Sequence, residues 1–149
     1  MQKKAEKIAE LVGMLPLFMG LVLEGIEIAT PFPLNESEEK TLMFLHKNEG
    51  SPMTEYSKKV GLSKGSFTGV VDRLVEKGLV KRTSVSDDRR VYALILTEKG
   101  KETAKDIDLQ FKQHIAKKLT YLPDEDLRAL KKALAIIAAT IEKFQAGKG

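Results

Sequence analysis

Gly61-Leu62-Ser63 constrains this chain more than any other stretch. It separates two short helical patterns, Thr54 to Val60 and Ser63 to about Lys77. Gly61 closes the first, Ser63 offers a capping oxygen to the second, and Gly78 ends it. Helix, three-residue turn and helix together have the length and chemistry of a helix-turn-helix. In the second helix Phe67, Val71, Leu74 and Val75 recur at helical spacing and predict an inward stripe. Lys64, Ser66, Thr68, Gly69 and Arg73 fall off that stripe. Small polar side chains at a helix start approach base edges closely, and a lysine there reaches phosphate or guanine. The helix N-terminus itself favours phosphate oxygens.

Leu79 to Ser84 and Val91 to Thr97 read as two strands, joined by Val-Ser-Asp-Asp-Arg-Arg. The tip of such a hairpin cannot reach its own core. Arg89 and Arg90 are therefore placed either as a solvated tip beside Asp87 and Asp88 or to enter the narrow, electronegative minor groove of a duplex. From Lys58 to Arg90 nine basic residues face four acids, an excess of +5, while the whole chain carries +4. The positive charge is thus concentrated in this segment, as a polyanion partner requires.

The rest of the chain is helical in pattern. Gln2 to about Ala29 is the first such segment, with a kink expected at Pro16. Its apolar residues lie on more than one face, so it needs more than one neighbour. Thr-Pro-Phe-Pro-Leu-Asn breaks it. Asn35 and Glu38 have the spacing of a capping box ahead of a helix carrying Leu42, Phe44 and Leu45. Two long helices follow the hairpin, about Glu98 to Leu119 and, after Pro123 in a first turn, to about Phe144. Leu127, Leu130, Leu134, Ile137 and Ile141 line the second.

The composition excludes several classes of function. Without cysteine there is no disulfide, thiolate zinc site or thiol switch. His46 and His114 are the only histidines, so no metal site is expected. No nucleophile elbow or phosphate-cradling glycine loop is present. The chain reads as a non-enzyme with no cofactor. The apolar run Leu11 to Leu23, ended by Glu24 and Glu27, is 13 residues long and too short to span a bilayer. No membrane partner is expected, and a cytoplasmic location is.

The segment PMTEYSKKVGLSKGSFTGVVDRLVEKGLVKRTSVSDDRRVYALILTEKGKE resembles the winged helix-turn-helix of the MarR family of transcriptional regulators. The family's wing pattern, acid-x-Arg followed by Leu-x-Leu-Thr-x-x-Gly, is matched by Asp88, Arg90, Leu94, Leu96, Thr97 and Gly100. The Gly-Leu-Ser turn and Val-Asp-Arg-Leu-Val-Glu-Lys-Gly-Leu-Val-Lys-Arg match as well. The resemblance implies a mainly α fold with a small β-wing. A DNA-binding domain would span 34–100, flanked by a helical dimerisation region at 1–33 and 101–149.

It further implies a homodimer that places two recognition helices about 34 Å apart on a pseudo-palindromic duplex. The activity implied is sequence-specific regulation of transcription, by repression or activation, with a repressor relieved by a small aromatic or lipophilic effector as the first expectation. Ser63, Lys64, Ser66 and Thr68 would face the major groove, and Arg90, with Arg89 beside it, the minor groove. Asp88 would hold Arg90 in orientation, and Arg73 would bind phosphate or brace the wing. Met14, Phe18, Phe44 and Phe111 are the candidates for an effector pocket. The chain departs from the family at Gly69, where members often carry a polar or basic residue. Gly65 and Gly69 each weaken the helix by about 1 kcal/mol relative to alanine. The alternative function is a winged-helix module that binds protein and not DNA.

Overall fold

The structure is a computed structural model of one chain, and it describes residues 2–48, 64–84, 87 and 92–147. The predicted helix Thr54–Val60 and its turn lie outside these residues. The chain divides into two compact units, Ile26–Lys112 and Met1–Gly25 with Gln113–Gly149. The elements are α1 (Gln2–Val12), α2 (Leu15–Leu23), α3 (Glu36–Asn48), α4 (Lys64–Glu76), β1 (Val80–Ser84), β2 (Tyr92–Leu96), α5 (Glu98–Leu119) and α6 (Asp124–Ala146). It is mainly α with one small antiparallel hairpin, the winged helix-turn-helix class.

The first helical segment is shorter than its pattern predicts. It breaks at Gly13 and Met14, and Pro16 sits in the first turn of α2, where a missing N–H costs nothing. The second piece ends at Leu23 and not at Ala29. Gly25 follows with φ +77°, a conformation that stops a helix and that side chains resist. Residues 26–34 then run without regular structure, and Gln110 fastens them to α5. Its side chain accepts from the Ala29 N–H and donates to the Ala29 carbonyl, each at 2.8 Å.

In the unit Ile26–Lys112, α3 opens on the predicted capping box. The Glu38 N–H donates to Asn35 Oδ1 at 2.8 Å and the Asn35 N–H to Glu38 Oε1 at 3.3 Å. α4 ends at Gly78, φ +75°, where the Leu79 N–H reaches the Leu74 carbonyl and the Gly78 N–H the Val75 carbonyl. This pair of bonds is a Schellman closure, and it turns the chain directly into β1. The strands pair with Val80 opposite Leu96, Arg82 opposite Leu94 and Ser84 opposite Tyr92. Val80, Leu94 and Leu96 therefore share one face and join the core. Leu42 and Leu45 of α3, Phe67, Val70, Val71 and Leu74 of α4, and Ala104 and Ile107 of α5 complete it. The predicted inward stripe of α4 is thus the stripe that packs, with Val75 half-buried at its margin.

The Leu-Thr-x-x-Gly segment ties these elements at one point. The Thr97 hydroxyl donates to the Gly78 carbonyl at 2.6 Å and accepts from the Gly100 N–H at 3.0 Å, capping α5. The Thr97 N–H bonds the Leu79 carbonyl at 3.1 Å. A Cβ on Gly100 would lie 1.9 Å from the Leu79 carbonyl oxygen, a backbone atom that cannot swing aside.

The second unit has a different character. α6 has no buried residue along its 23 positions, and α1 has none either. Leu134, Ile137, Ile141 and Phe144 form one exposed stripe of α6 at alternating three- and four-residue spacing. Ile8, Leu11 and Val12 of α1 and Leu17 and Leu21 of α2 are exposed as well. Among the described residues, no helix is long and apolar enough to cross a membrane.

Gly100→Ala should destabilise the chain by about 3 kcal/mol or more, through a clash that only a shift of β1 or α5 relieves. Urea unfolding measures this. A loss comparable to that of an alanine placed at exposed Gly20, which meets nothing, would contradict it.

Candidate nucleic-acid interface

α4 buries Phe67, Val70, Val71 and Leu74 and so presents the opposite side outward. Ser66 and Thr68 are exposed there, near the helix N-terminus. Lys64 is the first residue of α4; its side chain is outside the described set, as are Ser63, Asp88, Arg89 and Arg90. Gly69 has an ordinary helical backbone, and a Cβ on it would meet the Arg73 guanidinium at 3.5 Å, an ordinary contact. Neither the backbone geometry nor the position of Arg73 therefore requires a glycine here.

Arg73 itself faces α3. Its Nε lies 3.8 Å from Glu38 Oε1, with 47% of the side chain exposed. Lys77, one turn on, donates to Glu38 Oε2 at 2.5 Å and to the Pro33 carbonyl at 2.9 Å. The Glu38 side chain is only 3% exposed. A buried carboxylate is tolerated when it is paired and hydrogen-bonded. Here two cations from α4 and its end, and the capping N–H of Asn35, supply the partners. This cluster sets where α4 lies on α3. Lys99 closes the other side. It donates to the Lys77 carbonyl at 3.1 Å, and its ammonium stands 4.5 Å from the Phe32 ring centre.

A second cluster joins α4 to the hairpin. Arg82 of β1 lies on the core-facing side of the sheet, beyond its apolar part. Its Nη2 donates to Asp72 Oδ1 of α4 at 2.5 Å, and its guanidinium carbon is 5.3 Å from the Tyr92 ring centre on β2. The antiparallel register explains the second contact, since Tyr92 is the diagonal neighbour of Arg82 across the strands. The Tyr92 hydroxyl, opposed by burial and aided by Asp72, holds the Arg82 guanidinium above its ordinary value. Sequence reading counted Lys77 and Arg82 only as positive charge and missed both as structural partners. The match Val-Asp-Arg-Leu-Val-Glu-Lys-Gly-Leu-Val-Lys-Arg contains Asp72, Arg73, Lys77 and Arg82, but nothing local says which pair.

Of the proposed effector residues, Phe44 and Phe111 pack half-buried against the core of the unit Ile26–Lys112. Met14, which is exposed, and Phe18, which is half-buried, belong to the other unit. A shallow hollow on the first unit is lined by His46, Asp106, Asp108, Leu109 and Lys112 among others, and by none of these four. His114 bonds the Glu24 carbonyl at 2.9 Å. Among the described residues no group of histidines and carboxylates could hold a metal ion.

A helix with polar residues on its outer side, closed against a two-stranded hairpin and packed on α3, defines a winged-helix protein. Comparison with known proteins is specific beyond that. The MarR family pattern matches residues 34–92. The regulator MhqR of Bacillus subtilis (strain 168), described as an HTH-type transcriptional regulator, is 30% identical over 111 residues, covering 74% of this chain and 77% of MhqR. A MarR family protein from Bacillus stearothermophilus has the same fold, with a TM-score of 0.70 at 24% identity over 93% of this chain and 97% of that one. FabT of Streptococcus pneumoniae, solved in complex with DNA, superposes with a TM-score of 0.61 at 22% identity over 96% of this chain and 98% of its own. The chain belongs to the MarR family. It is accordingly a transcriptional regulator and not an enzyme.

Lys77→Met should cost about 2 kcal/mol of stability, because it strips the closest counter-charge from the buried Glu38 carboxylate. The same change at Lys7, whose pair with Glu10 is exposed at both ends, should stay within about 0.5 kcal/mol. Equal effects of the two substitutions on urea midpoints would refute a positioning role for the Glu38 cluster.

Proposed function

We propose that this chain binds a pseudo-palindromic duplex as a homodimer and represses transcription from it until a small aromatic or lipophilic molecule binds. The observation that carries the reading is the outer side of α4. A helix held by α3 and the hairpin offers Ser66 and Thr68 outward at its N-terminal end, which begins at Lys64 and follows Ser63. In this reading those four residues approach base edges in the major groove. Arg90, with Arg89, enters the adjoining minor groove and is oriented by Asp88. Arg73 acts by setting the lie of α4 on α3, with its exposed part available to phosphate. Flanking regions 1–33 and 101–149 serve association, and 34–100 serves DNA. The DNA-bound state of FabT, a protein of the same fold, supports the docking mode.

The dimer reading is supported by the uncovered side chains of the helical unit. Leu134 is 43% exposed, Ile141 50% and Phe144 71%. A solitary soluble chain rarely leaves so continuous an apolar stripe in water, and the three- and four-residue alternation is the spacing of helix-on-helix packing. A second copy offers the same stripe, as a twofold interface requires. The effector is supported by family membership alone, with Met14, Phe18, Phe44 and Phe111 as its candidate lining.

Selection from a randomised duplex pool should recover inverted-repeat sequences, and binding to them should fall steeply with salt as phosphate contacts release counterions. Arg90→Ala should lose about tenfold or more in affinity for the recovered duplexes while keeping the fold. Failure of the wild-type chain to enrich any duplex would refute the DNA reading. Ile141→Glu should convert the species seen in sedimentation from dimer to monomer. An unchanged dimer would show that the α6 stripe is not the interface.

A further inference from the structure

We infer that Asp72 and Arg82 form the joint that sets the angle of the wing to the recognition helix, so that Arg82 is a positioning residue for DNA recognition and not itself a DNA contact. The inference rests on the DNA-binding reading above and assigns two residues that reading leaves without a role.

Arg82 is the point where three elements meet. It projects from β1 on the side of the sheet that carries Val80, Leu94 and Leu96, and it sits just past the last apolar residue of that face. There its guanidinium bonds Asp72 of α4 at 2.5 Å and stacks near Tyr92 of β2. An arginine suits this place because its planar fork bonds a carboxylate along one edge while its face lies on an aromatic ring. With only 35% of its side chain exposed, and with Nη2 bonded to Asp72 and the guanidinium lying over Tyr92, Arg82 is drawn toward the protein and away from phosphate. Lys81, the residue before it, points to the other face of β1 and is exposed.

Asp72 is in an unfavourable place for a DNA-binding protein, and that makes the joint testable. It lies four residues after Thr68, one turn along the same outer strip of α4, with 61% of its side chain exposed. A carboxylate there repels the phosphates of any duplex that Thr68 approaches. Removing its charge should strengthen DNA binding by simple electrostatics. If the carboxylate holds Arg82, and through Arg82 the hairpin, removal should instead weaken recognition, since the wing arginines would no longer be aimed at the groove next to α4. The two accounts predict opposite signs.

The experiment measures binding of full-length Asp72→Asn, Arg82→Gln and the exchanged pair Asp72→Arg with Arg82→Asp. The probes are the duplexes that the wild-type chain selects from a randomised pool and an unselected duplex of the same length. Asp72→Asn should bind selected duplexes about fivefold more weakly than wild type despite its extra positive charge, with thermal unfolding still cooperative. Arg82→Gln should lose a similar factor. The exchanged pair should recover most of the ratio between selected and unselected binding, a recovery that loss of a surface charge or of general stability would not give. Asp72→Asn binding as well as or better than wild type would overturn the joint, as would an exchanged pair no more selective than either single variant. A wild-type chain that selects no duplex would instead sink the DNA reading, and the joint with it.

Discussion

Gly100 and the Leu79 carbonyl lie so close that no side chain fits between them. That contact is possible because three segments end at one place: α4 turns at Gly78, β2 stops at Leu96, and α5 begins at Glu98. Thr97 stands among them and uses one hydroxyl twice, donating to the end of α4 and accepting from the start of α5. The bonds here involve backbone and a short side chain, so little rotamer entropy is lost in making them. The hairpin leaves and returns through this point. Its root is therefore fixed by short-range contacts, while its outer part depends on longer side chains such as Arg82 and Tyr92.

The charges of the central unit divide into those used inside the protein and those left for a partner. Arg73, Lys77 and Arg82 all contribute to the positive excess of the segment Lys58–Arg90, yet each faces a carboxylate of the same chain. A residue count treats them as attraction for a polyanion. The structure treats them as fasteners between α4, α3 and the hairpin. The positive excess of the segment therefore overstates what these three residues can offer a polyanion. The buried position of Glu38 has the same logic. An acid at the first turn of α3 is favoured by that helix's own dipole and cap, and it can then receive cations from a neighbouring helix without being left unpaired.

Local chemistry made much of this fold legible beforehand. The Asn35 and Glu38 cap, the closure of α4 at Gly78, the inward stripe from Phe67 to Val75 and the bounds of α5 all depend on residues within a few positions of one another. The wing pattern made the family legible too, and Gly100 now has a steric reason for its place in that pattern. What sequence did not disclose were pairings across distance. Lys77 and Glu38 are 39 residues apart, and Arg82 and Asp72 ten. Any of several acids could have met these cations until the fold chose. The first helix was read too long because its apolar residues continue past Leu23. The left-handed turn at Gly25 and the clamp of Gln110 on Ala29 override that periodicity. The effector candidates share only an apolar character, and such residues suit a core as well as a pocket.

The bare stripe along α6 bears on how such a regulator behaves at low abundance. With Leu127 and Leu130 half-buried and none of its residues fully so, α6 draws little from its own chain, and its persistence depends on whatever comes to lie against it. When that cover is another copy, folding and association become a single equilibrium whose position moves with the number of molecules in the cell. Newly made chains would then meet before they mature, and dilution by growth and division would thin the competent population faster than it thins the polypeptide.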